Sequence, residues 1–297
     1  MQIGDWKAVA GMADVYNQAR ALGIETNIAE LEAFGFTVIE PDKTGMPADF
    51  ARRLMDKTQE IAAKEDLNVV DLNKQAVRPA AGRQLFNLIT KDPIYADAMM
   101  APAAQVMAKY MMGASYRLYS MVAFLKEGHA IPTPLHNDST GVPPPIPFYG
   151  NVCNISWVLT DYTKESGTLC MQPGSHRLCR MPTMAEWPKF MGGQAEDDLF
   201  VPVLAKAGSL AVFHGNTWHG TYPKVNDAVR CHVAIAACRN YVNPAETFAS
   251  VPESTVQRGG PEFARAIGRS AWQGYGTEGP KYDRMLMVRA ATGTVYG

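Results

Sequence analysis

Cysteine is sparse in this 297-residue chain: five occur, at Cys153, Cys170, Cys179, Cys231 and Cys238, and none forms a CxxC pair. A zinc knuckle or a disulfide scaffold needs tighter spacing, so reduced and mostly buried thiols are expected. Long apolar runs are also missing; nothing approaches the roughly 20 residues that span a bilayer, so no membrane partner is expected. No lysine/arginine block exists and the formal net charge is −1, which argues against a nucleic-acid partner. The opening "MQIGDWKAVAG" has no basic region followed by an apolar core, so no signal peptide is expected and the protein should be soluble and cytoplasmic. What is present is ordinary globular material, 47% apolar and 19% charged.

The texture changes along the chain. Up to about residue 115 it reads mainly as helix: "DWKAVAGMADVYNQARALGI" and "MPADFARRLMDKTQEIAAKED" carry apolar residues at mixed three and four spacing among good helix formers. Between them, "EAFG" ends a small helix and "FTVIE" reads as a strand. The methionine-rich "DAMMAPAAQVMAKYMMG" reads as one helix whose methionines fill the core. From Tyr116 to about residue 241, short β-rich runs alternate with turn residues: "YRLYSMVAFL", "VCNISWVLT", "GTLCMQ", "LFVPVLA", "GSLAVFH" and "VRCHVAIAACRNY". No Pro/Gly/Ser linker divides the halves, and the strands need a cover for their outer face. One domain spanning 1–297 is therefore expected, mainly β with flanking helices: a double-sheet jelly roll packed by the N-terminal helices. A C-terminal extension, 242–297, holds one more helix, "PEFARAIGR", and then irregular sequence rich in glycine and tyrosine.

In "PLHNDSTG", His136 and Asp138 stand two apart, so in an extended chain both side chains point to one side. That pair alone is either half of a metal site or a histidine and an acid sharing a loop. The stretch "GSLAVFHGNTWHGTYPKVNDAVRCHVAIAAC" adds to it. A β-run ends near His219, turn residues "YPKVND" follow, and a second β-run carries Arg230. Fully extended, the eleven residues from His219 to Arg230 would span roughly 36 Å. The turn folds them back, so imidazole and guanidinium lie near each other on neighbouring strands. Two histidines and a carboxylate leave metal positions open for non-haem Fe(II) oxygen chemistry, and a guanidinium fork suits a dicarboxylate co-substrate.

Three ordered segments, "HND", "SGTLCMQPGSHR" and "HGTYPKVNDAVR", with "LEAFGFTVIE" before them, resemble the phytanoyl-CoA dioxygenase family over about residues 28–240. The resemblance implies a cupin-like double-stranded β-helix and an oxygenase using Fe(II), 2-oxoglutarate and O2. It implies His136, Asp138 and His219 as iron ligands and catalytic centre, and Arg230 as partner of the distal 2-oxoglutarate carboxylate. It further implies that the Thr221 hydroxyl assists that carboxylate and that Trp157 borders the same pocket. Leu169 stands where many relatives carry threonine. The acid ligand Asp138 implies oxygenation rather than halogenation: hydroxylation, desaturation or ring formation, with release of succinate and CO2.

The remaining histidines have plainer readings. His214 lies five positions before His219, which on one strand would face it the opposite way, so packing is expected. His176 belongs to a "PGSH" turn, His129 carries no signal, and His232 shares the strand face of Arg230. The stiff "TGVPPPIPFYG" leaves the proximal ligands directly and is expected to wall the substrate pocket through Phe148 and Tyr149. Without a basic cluster, an acyl-CoA is not favoured; a small to mid-sized organic molecule, such as a secondary metabolite, is the expected substrate, and a homodimer stays open. Two other classes stay open as well: a zinc hydrolase on the same triad, and a non-catalytic jelly-roll binding protein.

Overall fold

The structure is a computed structural model that describes residues 10–65, 82–139, 141–269, 275–276 and 279–280. The start of the first expected helix and most of the glycine- and tyrosine-rich end of the chain lie outside the described residues. The chain opens with α1 (Ala10–Leu22) and α2 (Glu25–Phe34). Gly35 ends α2 at φ +86°, and its amide reaches back to the Leu31 carbonyl. No side chain would fit there, because a Cβ would sit 2.4 Å from Thr217 Oγ1. The chain then enters β1 (Phe36–Ile39), as expected of "FTVIE".

Next come α3 (Phe50–Glu65), β2 (Arg83–Leu85), α4 (Pro93–Met99) and α5 (Pro102–Met112). The methionine-rich segment is thus two helices rather than one. Pro102 pushes Ala101 out of the helical region, to φ −54° and ψ 135°, and restarts the helix as its first residue. Its methionines are core, as expected: Met99, Met107, Met111 and Met112 are all buried.

The strands β3 (Arg117–Lys126), β4 (Val152–Val158), β5 (Leu169–Met171), β6 (Val201–Pro202), β7 (Leu210–His214), β8 (His219–Thr221) and β9 (Arg230–Cys238) complete two antiparallel sheets. The larger has the order β1-β7-β4-β9-β3-β2 and the smaller β6-β5-β8. Helix α6 (Glu253–Ala266) follows, bent where Gly260 leaves helical geometry at φ 76° and Pro261 begins again.

Strand alternation gives the large sheet two different faces. Cys153, Ile155 and Trp157, Leu210 and Val212, and Cys231, Val233, Ile235 and Ala237 join the main core with the helices. The opposite face carries Val158, Ala211 and Phe213 against Leu169 and Met171 of the small sheet. It also carries Phe124, Lys126, Asn154, Ser156, Arg230, His232 and Ala234, which line a cavity between the sheets. One face builds the fold and the other builds a site. Among the described residues, no helix is long and apolar enough to cross a membrane.

Candidate functional site

His136 and His219 are brought together by the backbone itself. Each donates its amide to the other's carbonyl, at 2.9 and 2.8 Å, in an isolated antiparallel bridge that extends the small sheet past β8. The rings lie 4.3 Å apart between centroids. Asp138, two residues on, has its amide on the Gly215 carbonyl at 2.8 Å, which carries its carboxylate back toward both rings. His136 Nε2 stands 3.8 Å from Asp138 Oδ1 and His219 Nε2 stands 3.7 Å from Asp138 Oδ2. One ligand atom from each of the three falls within 4.8 Å of the others.

The two imidazoles are set up alike. His136 Nδ1 is 2.8 Å from the Pro134 carbonyl and His219 Nδ1 is 2.9 Å from that of Thr217. A carbonyl can only accept, so each Nδ1 carries the proton and each Nε2 offers a lone pair to the centre. Burial, with His136 beside it, lowers the pKa of His219 despite the opposing pull of Asp138, which favours the neutral ligand form. Asn154 on β4, which the sequence reading passed over, donates to Asp138 Oδ2 at 2.6 Å. It steadies the carboxylate from the facing sheet. Gly220 lets β8 pass close to the incoming chain, where a Cβ would lie 2.5 Å from the Thr133 carbonyl.

The cavity is about 190 Å³ in volume, and at its far end two cations lie side by side. Arg230 and Lys126 pair across β9 and β3, and both are 2% exposed. Among the described residues neither meets a carboxylate. Arg230 donates to the Gly167 carbonyl and stacks over Tyr162 at 5.3 Å, yet its Nε has no partner. Lys126 Nζ reaches only hydroxyls, Thr221 Oγ1 at 3.2 Å and Thr133 Oγ1 at 3.5 Å. Burial, with Arg230 next to it, pulls the Lys126 pKa down to about 7. Buried charge without a counter-charge is costly, so this end of the cavity is built for an anion. Lys126 was also missed by the sequence reading.

Thr221 lies in this anion end, its hydroxyl accepting the Thr133 amide at 2.8 Å. Leu169 lies opposite it in register and also faces the cavity. Trp157 does not. Its expected place beside the pocket is corrected by strand parity: its indole points into the helix-side core, donates to the Ala98 carbonyl at 3.0 Å and packs on Phe50 at 5.1 Å. Ser156, its neighbour, faces the cavity instead.

His214 is not on the strand of His219, because residues 215–218 turn between β7 and β8. It packs on His176 at 5.3 Å and accepts the Asn216 amide, and burial holds its pKa down to about 4. His129 is exposed beside Asp227. The expected pocket wall also lies elsewhere: Phe148 and Tyr149 line a separate hollow of about 500 Å³ with Tyr16, Tyr110 and Arg239. Asn216 holds the Pro147 carbonyl and Arg239 stacks on Tyr149 at 4.8 Å, which turns the loop tip toward the helices.

The donor set fits ferrous iron, with two imidazoles and one carboxylate gathered at one end of an open-mouthed cavity. The pair of uncompensated cations fits a dicarboxylate reaching from that centre.

Comparison with known proteins agrees with the fold. The profile of the phytanoyl-CoA dioxygenase family matches residues 31–231, more than half of the chain. Two curated fungal relatives match. Dioxygenase af480 of Aspergillus fumigatus is 29% identical over 147 residues, 50% of this chain and 45% of its own length. The Fe(II)/2-oxoglutarate-dependent dioxygenase nvfF of Aspergillus novofumigatus is 32% identical over 120 residues, 40% of this chain and 37% of its own length. The chain spans less than half the length of either curated relative. Among solved structures, EctD from S. alaskensis superposes with a TM-score of 0.58 at 18% identity, covering 77% of this chain and 83% of that one. The epimerase SnoN, in complex with Fe3+, alpha ketoglutarate and nogalamycin RO, superposes at 0.54 with 19% identity, covering 74% and 84%. These likenesses show a shared double-stranded β-helix.

Proposed function

The chain belongs to the phytanoyl-CoA dioxygenase family of Fe(II)- and 2-oxoglutarate-dependent oxygenases, and on that footing we propose that it oxidises a C–H bond of a small, uncharged organic molecule. The reaction couples this oxidation to conversion of 2-oxoglutarate and O2 into succinate and CO2. The observation that carries the reading is the pairing of a His–Asp–His cluster with two buried, uncompensated cations in one cavity. A zinc hydrolase would have no use for the second half of that arrangement.

In this reading His136, Asp138 and His219 hold the metal through Nε2, a carboxylate oxygen and Nε2. Bound there, ferrous iron with 2-oxoglutarate supplies the oxidising power for O2-dependent chemistry. The protein's own residues do the rest. Arg230 offers a guanidinium to the distal carboxylate, with Lys126 adding a second charge and Thr221 a hydroxyl that Lys126 and the Thr133 amide already orient. Asn154 keeps one Asp138 oxygen engaged and so limits how the carboxylate turns toward the metal. The walls of Phe124, Phe213 and Leu169 keep water from the centre.

The substrate class follows from what else faces the cavity. Beyond Asp138 and the two cations, its lining is uncharged: Phe124, Asn154, Ser156, Phe213 and Ala234 among others. Once the dicarboxylate occupies the cations, no charge is left to hold a phosphate or carboxylate on the substrate. A neutral secondary metabolite suits such a cavity; the SnoN structure likewise holds an organic compound, nogalamycin RO, beside its metal and alpha ketoglutarate.

Substrate-stimulated succinate release tests this. A panel of neutral polycyclic and aromatic metabolites should include compounds that accelerate it in the presence of Fe(II) and O2, with a product mass shift of one oxygen or of two hydrogens. Equal product formation under strict anaerobiosis would rule the reading out.

A further inference from the structure

We propose that His232 positions 2-oxoglutarate, its neutral ring donating a hydrogen bond to the distal carboxylate alongside Arg230; the inference rests on the reading of this cavity as a 2-oxoglutarate site. His232 is 6% exposed, lines the cavity and has a ring nitrogen, Nδ1, with no partner. Buried polar atoms in folded proteins are nearly always satisfied, so one left over beside a binding cavity calls for a ligand.

The ring is not free to look elsewhere. Phe124 stacks on it face to face, 4.9 Å between centroids and 7° from parallel, and Tyr162 meets it edge-on at 5.9 Å. Arg230 stacks over the same Tyr162, so guanidinium and imidazole share one aromatic wall. The ring is also held neutral. Burial and the two neighbouring cations, Arg230 and Lys126, drive its pKa well below the usual histidine value. A neutral imidazole keeps one N–H to donate and adds no third charge to the anion end.

Its place along the strand says which end of the ligand it meets. Arg230, His232 and Ala234 of β9 line the cavity in order and Ala236 continues the same strand face beyond it, spaced by roughly 6.6 Å per pair of residues. Ala236 pairs with Asn154, whose amide holds the Asp138 carboxylate, so the metal end lies level with Ala236. His232 is therefore the next residue to Arg230 and well short of the metal. The distal carboxylate is within its province; the keto-acid end is not.

The test compares two ligands on Zn(II)-loaded protein, which cannot turn over, by calorimetry. One is 2-oxoglutarate and the other 2-oxopentanoate, which has the same carbon chain without the distal carboxylate. His232→Phe, which keeps a flat ring on Phe124, should weaken 2-oxoglutarate about tenfold, the size of a hydrogen bond to a charged group, and leave 2-oxopentanoate nearly unchanged. His232→Gln, retaining a donor, should recover part of the loss. Equal weakening of both ligands would mean a merely structural ring, and no weakening would mean no contact; either overturns the proposal. Should the phenylalanine variant not fold, His232→Leu is measured in the same two titrations. Arg230→Met separates this from the wider reading. If it erases the preference for 2-oxoglutarate while His232→Phe does not, only the role of His232 fails. If Arg230→Met leaves that preference intact, the co-substrate site itself is misplaced.

Discussion

The Asn154 side-chain amide donates to Asp138 Oδ2 at 2.6 Å, a bond that joins the large sheet to the acid of the His–Asp–His cluster on the other side of the cavity. Partners of metal ligands fix the orientation of those ligands. Replacing Asn154 with leucine, close in size but without donors, should weaken Fe(II) or Co(II) binding about 10- to 100-fold, read by anaerobic metal titration. Unchanged affinity would mean that the carboxylate is held well enough without it.

On the proposed ligand set, Asp138→Ala removes an anionic ligand rather than its support. Substrate-coupled succinate formation should fall to background, with His136 and His219 left as a two-point site. Normal coupled turnover in that variant would overturn the ligand assignment.

Lys126 gives the site a pH signature. In the folded protein its ammonium loses its proton near pH 7, whereas an ordinary lysine keeps it to 10.5. The folded value is the lower one, so the cost of burying this charge is fully present below pH 7 and fades as pH rises toward 10.5. The ligand-free protein therefore gains stability from this group over that interval. A dicarboxylate draws the group the other way. Its affinity should fall as pH rises through 7, and its binding at pH 8 should take up a proton, measured by calorimetry in buffers of different ionisation enthalpy. Lys126→Met should remove the proton uptake and raise the KM for 2-oxoglutarate.

Trp157 offers a contrast between core and pocket. Its indole N–H holds the Ala98 carbonyl and its ring packs on Phe50. Trp157→Phe should cost about 1–3 kcal/mol of stability, from a carbonyl left unpaired and a partly emptied site, seen as a lower Tm. At temperatures where the variant is folded, the KM for 2-oxoglutarate should stay as in the parent.

Much of this architecture could be read from residue order, because strand alternation writes both faces into the chain. "VCNISWV" is the clearest case: Asn154 and Ser156 stand at alternate positions among apolar residues, which places the polar pair on one face and Ile155 and Trp157 on the other. Applied to Trp157, the same rule places it in the core, whereas the family resemblance alone places it beside the pocket. Lys126 carries a similar signal as the last residue of a long strand, in phase with Phe124. Terminal lysines usually reach solvent, so its burial depends on Arg230 and Thr221, which arrive about a hundred residues later. The course of the proline-rich loop could not be read at all. It is set by Asn216 and Arg239, long-range partners that no local pattern announces.

The bridge between His136 and His219 is a single rung rather than a ladder. The segment that delivers two members of the cluster meets the neighbouring chain at that rung, at the Thr221 amide on the Thr133 carbonyl at 3.3 Å and at the bridge between Ala130 and Lys224, with no regular strand along it. An ion seated at the cluster would then be a rivet: it would fasten a loosely sewn edge of the barrel to a strand already in place, so that occupancy and rigidity of the mouth rise together.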